Sequence, residues 1–279
     1  MSLMQKLLVT IVALGSILGA NEAQVKSFLQ KGIGSNPNII SLDISVIDKI
    51  PLEKPKGWEA YIIQLKGTAK MGAQTKPISQ RTIYFVGDGL VTADLYDLKS
   101  GQKLNSSISP AFKDKYYDSE HKLFGDKNAA HKVVIFSDPL CPFCRTYVPK
   151  ALAYMKKYPR TFEVYYYHFP LSSLHPAAVP LVKAAFVAEQ NGVSNVVENL
   201  YKVTVDGREK NVQKVLNAFN KVQGTKVNLN DISNPSIDAK YKHAMNVAEE
   251  HLVNGTPSVF FDGKKDASKM KYATTKIIK

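Results

Sequence analysis

The sequence predicts a small α+β domain followed by an α/β domain, and three observations lead to this prediction. An amphipathic helix and then consecutive strand-like runs occupy residues 24–98. Over residues 131–261 the predicted order is strand, helix, strand, helical block and strand, which is the order of an α/β domain. Between them, residues 105–130 combine turn-forming residues with a charged and aromatic stretch, and we interpret them as a linker.

The predicted N-terminal domain begins with a helix over residues 24–34, which glycines end. Alternating or β-rich runs follow, at residues 39–47, 58–65, 82–86 and 90–98. Gly87-Asp88-Gly89 predicts a hairpin turn between the last two strands. This region contains no cysteine or histidine, so no catalytic cluster is expected there.

The predicted second domain alternates between strands and helices. Val133 to Phe136 is a short β-branched and aromatic run, which predicts a buried strand. Apolar residues from Tyr147 to Met155 recur at spacings near three and four, which predicts a helix. The same patterns predict a strand at 162–169, helices around 179–190, 212–219 and 241–248, a strand at 258–261 and a short final helix.

The only two cysteines, Cys141 and Cys144, lie where the first of these strands meets its helix. The first turn of a helix has unpaired N–H groups and a dipole that favours negative charge, so a thiolate at Cys141 is stabilised there. Pro142 suits the first turn because it has no N–H to lose. Cys144 is expected to be less exposed and to act as the resolving thiol. We therefore predict redox catalysis by Cys141 and Cys144.

Three other interpretations of the cysteine pair stay open. Two cysteines at this spacing can form half of a zinc site, which needs two further ligands. The six histidines show no metal-ligand spacing, and no metal or cofactor is expected. The pair can also form an inert structural disulfide, or consist of two buried core thiols.

The N-terminus predicts export from the cytoplasm. Lys6 precedes an apolar run from Leu7 to Leu18, and small residues follow, as in a secretory signal. We predict a signal peptide over residues 1–20, with an uncleaved membrane anchor as the alternative. Disulfides form and persist in the compartments that exported proteins reach. An exported chain with a single cysteine pair does not use disulfides as a scaffold.

The chain is basic, with a formal net charge of +13 over 279 residues. Its lysines are scattered, and no basic stripe alternates with aromatic residues, so nucleic-acid binding is not expected. A solvated lysine-rich surface explains the charge, and attraction to anionic lipids or acidic partners is the alternative. The length suggests about two domains.

The sequence resembles the thioredoxin fold in two features. Cys141 and Cys144 lie at the start of a helix, and Thr256-Pro257 opens a strand more than a hundred residues later. The helical block and the segments at residues 168–171 and 175–177 resemble DsbA-like domains. Residues 24–110 resemble the cystatin-like dimerisation domain of the DsbC/DsbG proteins. The expected domains are residues 21–104 for dimerisation, 105–130 as linker and 131–279 as a thioredoxin-like catalytic domain with a helical insertion.

The resemblance implies roles for the residues around the cysteines. Pro257 is expected to be cis and, with Thr256, to form a substrate-facing loop. The Thr256 hydroxyl could donate a hydrogen bond to the Cys141 sulfur. Pro142 and Phe143 tune the redox pair, and Phe143, which can neither donate a hydrogen bond nor carry charge, favours a weaker oxidant. The acidic residue of many thioredoxin-fold proteins is replaced by Ile135.

Several polar residues near the pair are secondary candidates. Tyr166, Tyr167, His168 and His175 either line a substrate groove or pack in the domain core. Arg145 either favours a nearby thiolate or lies on the surface. Asp138 is expected to be a turn residue.

The resemblance implies a periplasmic thiol–disulfide oxidoreductase, acting as an isomerase or reductase on exported cysteine-containing proteins. A DsbD-type membrane thiol reductant and a homodimer formed through the N-terminal domain are the expected partners. Two alternatives stay open at this point. One is a DsbA-like dithiol oxidase, and the other is a holdase chaperone with a secondary redox activity.

Overall fold

The structure is a computed structural model that describes residues 22–278. It divides into two compact units, of which the first runs to Ser79 and includes Ile83–Ala93. The second comprises Gln80–Thr82 and the chain from Asp94 onward. The predicted signal peptide at residues 1–20 lies outside the described residues. The predicted domain limits stay predictions.

The first unit is a helix followed by an antiparallel arrangement of strands. Its elements are α1 (Glu22–Gly34), β1 (Ile39–Pro51), β2 (Glu59–Met71), β3 (Gln74–Gly87) and β4 (Leu90–Thr92). The four strands form one sheet in the order β1-β2-β3-β4. Val25 and Leu29 of α1 are buried in a core with Ile44, Tyr61 and Ile63 of the sheet. The predicted α+β character of this region is confirmed.

The hairpin predicted at Gly87-Asp88-Gly89 joins β3 to β4, which pair through Gly87 and Leu90. Asp88 and Gly89 both have positive φ, at 51° and 73°, as a two-residue turn of this handedness requires. The prediction that the partner strand extends over residues 90–98 is wrong, because the strand ends at Thr92.

The second unit contains a five-stranded sheet and seven α-helices within the described residues. Its strands are β5 (Lys122–Phe124), β6 (His131–Ser137), β7 (Phe162–His168), β8 (Ser258–Phe261) and β9 (Lys264–Lys265). Its helices begin with α2 (Pro142–Met155), α3 (Ala178–Gln190), α4 (Val196–Leu200) and α5 (Val212–Gln223). They continue with α6 (Leu229–Ile232), α7 (Pro235–Glu250) and the short α8 (Lys271–Thr274), whose length agrees with the prediction.

The sheet order is β5-β7-β6-β8-β9, and β6 is central. It runs parallel to β7 and antiparallel to β8. Parallel neighbours need a crossover connection, and α2 is that crossover. None of the helices within residues 22–278 is long and apolar enough to cross a membrane.

Successive side chains of β6 enter two different hydrophobic layers. Val133 and Ile135 pack with Val148 and Leu152 of α2 on one face of the sheet. Val134 and Phe136 point to the other face and pack against the block formed by α3, α5 and α7. Strand side chains alternate between faces, which explains why this apolar run has no polar position. The helical insertion thus covers the face that α2 does not.

The segment predicted as a linker contributes to the core of the second unit. Phe112 and Tyr116 are 4% and 6% exposed and pack in the same layer as Phe136. The Phe112 N–H donates to the Gly263 carbonyl at 2.7 Å, and Tyr167 donates to the Tyr116 carbonyl at 2.6 Å. The segment has one 3-10 turn at Asp114–Tyr116 and then β5.

Phe112→Ala is expected to destabilise the second unit by about 3 kcal/mol, because it removes a buried aromatic ring from a packed core. In urea, the midpoint of the helical circular dichroism transition should fall. The fluorescence of Trp58, the only tryptophan, follows the first unit separately. Leu98→Ala, at a fully exposed position, is the control. An unchanged midpoint for Phe112→Ala would contradict the assignment of this segment to the core.

Candidate redox site

The cysteine pair lies where β6 ends and α2 begins, as predicted. Cys141 is the N-cap of α2, with extended backbone angles of −68° and 124°, and Pro142 occupies the first turn. The Cys141 carbonyl accepts the first intrahelical bond, from the Arg145 N–H at 3.0 Å. Cys141 and Cys144 are both free thiols, with 4% and 0% exposure. The Cys141 side chain makes no capping hydrogen bond to the first-turn N–H groups.

Thr256 and Pro257 lie against Cys141. The peptide bond between them is cis, as predicted. The Cys141 thiol donates to the Thr256 carbonyl oxygen over 3.7 Å. The expected bond from the Thr256 hydroxyl to the Cys141 sulfur is wrong, because this hydroxyl has no hydrogen-bond partner among the described residues. The Thr256 hydroxyl instead lowers the pKa of the Cys144 thiol.

Cys144 is the more protected thiol. Burial raises its pKa to about 11, against the opposing effect of the nearby Ser137 and Thr256 hydroxyls and of the Asp138 backbone. The nearby Cys141 raises this pKa further. Because a thiolate is the reactive form, Cys144 is held as a protonated, unreactive thiol at neutral pH. This agrees with the expectation that it is the less exposed of the two.

Three buried hydroxyls form a hydrogen-bonded chain beside Cys144. The Ser137 hydroxyl lies 2.7 Å from the Tyr201 hydroxyl, which lies 2.8 Å from the hydroxyl of Tyr166. Burial raises the pKa of Tyr166 and of Tyr201, so both phenols keep their protons. These residues come from the ends of β6 and β7 and from the turn after α4.

Asp138 follows β6 and is fully buried. One carboxylate oxygen accepts from the Leu140 N–H at 2.7 Å, as a turn residue does. The other accepts from the Leu171 N–H and from His175 Nδ1, both at 2.9 Å. The Asp138 carbonyl also accepts from the Cys141 N–H at 3.2 Å. Asp138 therefore ties the loop before Cys141 to the segment after β7, and His175 contributes to the frame of the site.

Phe143 and Arg145 differ in what they offer to a substrate. The Phe143 side chain is 76% exposed and stands beside both cysteines in the first turn of α2. Arg145 Nη1 donates to the carbonyls of Pro139 and Val203, both at 3.1 Å. Phe143 is thus available for apolar contact, whereas Arg145 links the loop before Cys141 to the segment after α4.

The remaining candidates are packed in the domain. Tyr167 is fully buried in the layer opposite α2. His168 is 3% exposed, with Nε2 3.4 Å from Glu189 Oε1, and its ring contacts those of Tyr166 and Phe186 edge-on. Of the four residues considered for a substrate groove, Tyr166 and His175 lie near the cysteines.

A cavity of about 450 Å³ adjoins the Thr256-Pro257 loop, and its lining includes Lys265 and Lys269. Burial lowers the pKa of Lys265 to about 8, and the charge of Lys269 lowers it further. Among residues 22–278, no group of three or more His, Cys, Asp or Glu side chains is arranged to hold a metal ion.

A model of the thioredoxin family matches residues 118–279, which is more than half of the chain. The chain belongs to the thioredoxin family. The match covers both cysteines and the Thr256-Pro257 loop. No protein with a curated description matches the chain.

Solved structures of several bacterial redox proteins are similar to part of the chain. A thioredoxin-like oxidoreductase from Silicibacter pomeroyi is 21% identical, with a TM-score of 0.45 over 58% of this chain and 95% of that one. Oxidised BdbD from Bacillus subtilis is 16% identical, with a TM-score of 0.46 over 60% and 95%. The catalytic domain of Proteus mirabilis ScsC is 17% identical, with a TM-score of 0.42 over 56% and 88%.

Sequence reasoning missed two residues that contact the site. Ser137 ends the predicted strand four positions before Cys141, so its position alone could have indicated it. Tyr201 lies 64 residues from Ser137, its hydrogen-bond partner, and no local pattern indicates that contact.

Lys265→Met is expected to stabilise the protein at pH 7 by about 3 kcal/mol. The folded-state pKa of about 8 lies below the ordinary value of 10.5, so the charged lysine weakens the fold below pH 8. This penalty disappears as pH rises from 8 to 10.5. Thermal unfolding should show a Tm gain at pH 7 that shrinks over this range. Lys264→Met, at an exposed neighbouring position, is the control, and a gain that does not vary with pH would contradict the explanation.

Proposed function

We propose that the chain is a thiol–disulfide oxidoreductase that uses Cys141 as nucleophile and Cys144 as resolving thiol. The observation that carries the proposal is the position of Cys141, at the N-cap of α2 with its sulfur 3.7 Å from the Thr256 carbonyl. Helix N-termini favour the thiolate. The Thr256-Pro257 loop is the surface on which an extended substrate segment pairs with the backbone, as in β-strand addition.

In the first step, the Cys141 thiolate attacks one sulfur of a substrate disulfide. The substrate S–S bond breaks, a mixed disulfide with Cys141 forms, and the other substrate sulfur leaves as a thiolate. A second substrate thiol can then attack the mixed disulfide, which gives isomerisation without net redox change. Alternatively Cys144 attacks, the Cys141–Cys144 disulfide forms, and the substrate is reduced by two electrons.

Isomerisation or reduction is favoured over oxidation by the groups that surround the pair. Phe143 is apolar and offers no hydrogen bond or charge to a thiolate. The high pKa of Cys144 works in the same direction, because a less stable dithiolate makes the disulfide a weaker oxidant. The chain would act in the periplasm on exported cysteine-containing proteins. A membrane thiol reductant of the DsbD type would return Cys141 and Cys144 to the reduced state.

The proposed assembly is a homodimer formed through a cystatin-like N-terminal domain, as in the DsbC/DsbG proteins. Strand β1 is at the edge of its sheet, where unpaired backbone groups can join another chain. Ile40 and Ile47 of this strand are 52% and 46% exposed, and Phe28 of α1 is 53% exposed. An apolar edge of this kind supports pairing between copies.

Cys141→Ala is expected to lower the rate at which a scrambled multi-disulfide protein is refolded by at least about 100-fold, because the attacking nucleophile is lost. Cys144→Ala should retain the first attack and accumulate a mixed disulfide, which mass spectrometry detects. Thr146→Ala, exposed on the same helix, is the control. Equal activity of wild type and Cys141→Ala would contradict the proposal. A strongly oxidising equilibrium with glutathione and no isomerase activity would favour a dithiol oxidase.

Light scattering at micromolar concentration should give twice the mass of one chain. Ile40→Asp combined with Ile47→Asp is expected to shift the protein towards monomer, because it places charges on the exposed edge strand. Replacement of two exposed lysines by aspartate, Lys210→Asp and Lys214→Asp, in the second unit is the matched control. A wild-type monomer at this concentration would contradict the proposed dimer.

A further inference from the structure

We propose that the hydroxyls of Ser137, Tyr201 and Tyr166 form a donor chain that stabilises the Cys144 thiolate during resolution of the mixed disulfide. The inference rests on the proposed function, because it concerns the step in which Cys144 acts. In this proposal Ser137 donates to the sulfur once it is a thiolate, while Tyr201 and Tyr166 act through Ser137 as positioning residues.

The need for such a device follows from the surroundings of Cys144. The sulfur is fully buried, so water cannot solvate a negative charge on it. Ile135, which packs in the same layer, is apolar and offers no hydrogen bond. Other side chains must therefore support the thiolate as it forms.

The number of protons carried by the three hydroxyls favours the thiolate form of Cys144. Two hydrogen bonds join the three hydroxyls. Cys144 packs in the same buried cluster as Tyr166 and Tyr201, and the nearby Ser137 hydroxyl favours its thiolate form. When Cys144 is a thiolate, Tyr166 donates to Tyr201, Tyr201 to Ser137 and Ser137 to the sulfur, so every hydroxyl proton has an acceptor. When Cys144 is a thiol, its proton is added to those of the three hydroxyls, while the number of contacts between these groups stays the same. One of the protons then has no acceptor among the four groups.

The hydroxyl of Thr256 provides an independent observation. Its oxygen is buried and has no hydrogen-bond partner of normal geometry among residues 22–278. It nevertheless lies near enough to the Cys144 sulfur to favour the thiolate. A buried donor without a partner is costly, and ionisation of Cys144 would supply the acceptor that this hydroxyl lacks.

The high pKa of the two phenols supports the direction of donation. Burial raises the pKa of Tyr166 and of Tyr201, so neither becomes an anion that competes with the sulfur. The other titratable groups around the sulfur are Cys141, which carries no charge once it is in a mixed disulfide, and the Asp138–His175 pair behind it. Substitutions within the hydroxyl chain leave these groups in place.

The step balances without a further reactant. The Cys144 sulfur loses its proton and attacks Cys141 Sγ, the bond between Cys141 and the substrate sulfur breaks, and the Cys141–Cys144 disulfide forms. The substrate leaves as a thiolate that takes up the proton. The hydroxyls donate hydrogen bonds throughout and are unchanged at the end.

The test follows resolution separately from the first attack, with 5,5′-dithiobis(2-nitrobenzoate) as the probe. Attack by Cys141 releases one nitrothiobenzoate anion, and attack by Cys144 on the resulting mixed disulfide releases a second. The two phases are measured in stopped flow across pH for wild type, Ser137→Ala, Tyr201→Phe and Tyr166→Phe. Tyr167→Phe is the matched control, because it removes a buried hydroxyl that bonds to the Tyr116 carbonyl instead.

The expected result is a graded loss in the second phase only. At pH 7 it slows about tenfold in Ser137→Ala, about three- to tenfold in Tyr201→Phe and about two- to threefold in Tyr166→Phe. The apparent pKa of this phase rises in the same order, while Tyr167→Phe matches wild type. Tyr201→Phe keeps the test decisive if Ser137→Ala does not fold.

Two outcomes overturn the inference or its basis and can be distinguished. If all tyrosine variants give the wild-type pH profile in the second phase, the donor chain is wrong and the proposed redox function stands. If Cys144→Ala releases the second anion as fast as wild type, or Cys141→Ala the first, the proposed roles of the cysteines are wrong.

Discussion

The pairing of β6 with its two neighbours is the constraint on which the rest of the site depends. β6 is parallel to β7, so α2 must cross over between them, and the N-terminus of α2 starts at the end of β6. β8 is antiparallel, with Phe136 opposite Ser258. Thr256 and Pro257, which precede Ser258, therefore lie beyond the same end of β6 as Cys141. The pairing of β6 with β7 and with β8 therefore brings together Cys141 and Thr256, which are 115 positions apart in the sequence.

The same geometry gives the two thiols different properties. Cys141 is outside the helix, at the N-cap, where the backbone dipole favours a negative charge. Cys144 is one turn further in and packs in the layer between α2 and the sheet. Both sulfurs are buried, but only Cys141 stands at the helix terminus and against the Thr256 carbonyl. This separation suits an enzyme whose first thiol attacks substrates and whose second is withheld until a mixed disulfide is in place.

Polar groups inside this layer are present because each has a specific partner. Ser137, Tyr166 and Tyr201 come from different segments of the chain and are buried together. Burying any one of their hydroxyls without a hydrogen-bond partner would cost free energy. Asp138 is satisfied by two backbone N–H groups and His175. The polar network thus surrounds the C-terminal end of β6, while residues 133–136 of the strand pack in apolar layers. Phe112 and Tyr116 extend that apolar packing into the segment that the sequence presented as a linker.

The sequence by itself determined the elements that carry the cysteines, because their signals are local. A short apolar run identifies β6, and apolar residues at spacings of three and four identify α2. The spacing of Cys141 and Cys144 identifies the redox motif, and Asp88-Gly89 identifies a hairpin. Only the tertiary structure decided which hydroxyl faces which sulfur. Ser137 and Tyr201 are 64 residues apart and Tyr166 and Tyr201 are 35 apart, and their contact depends on strand register and helix packing. These long-range arrangements leave no periodic pattern in the sequence.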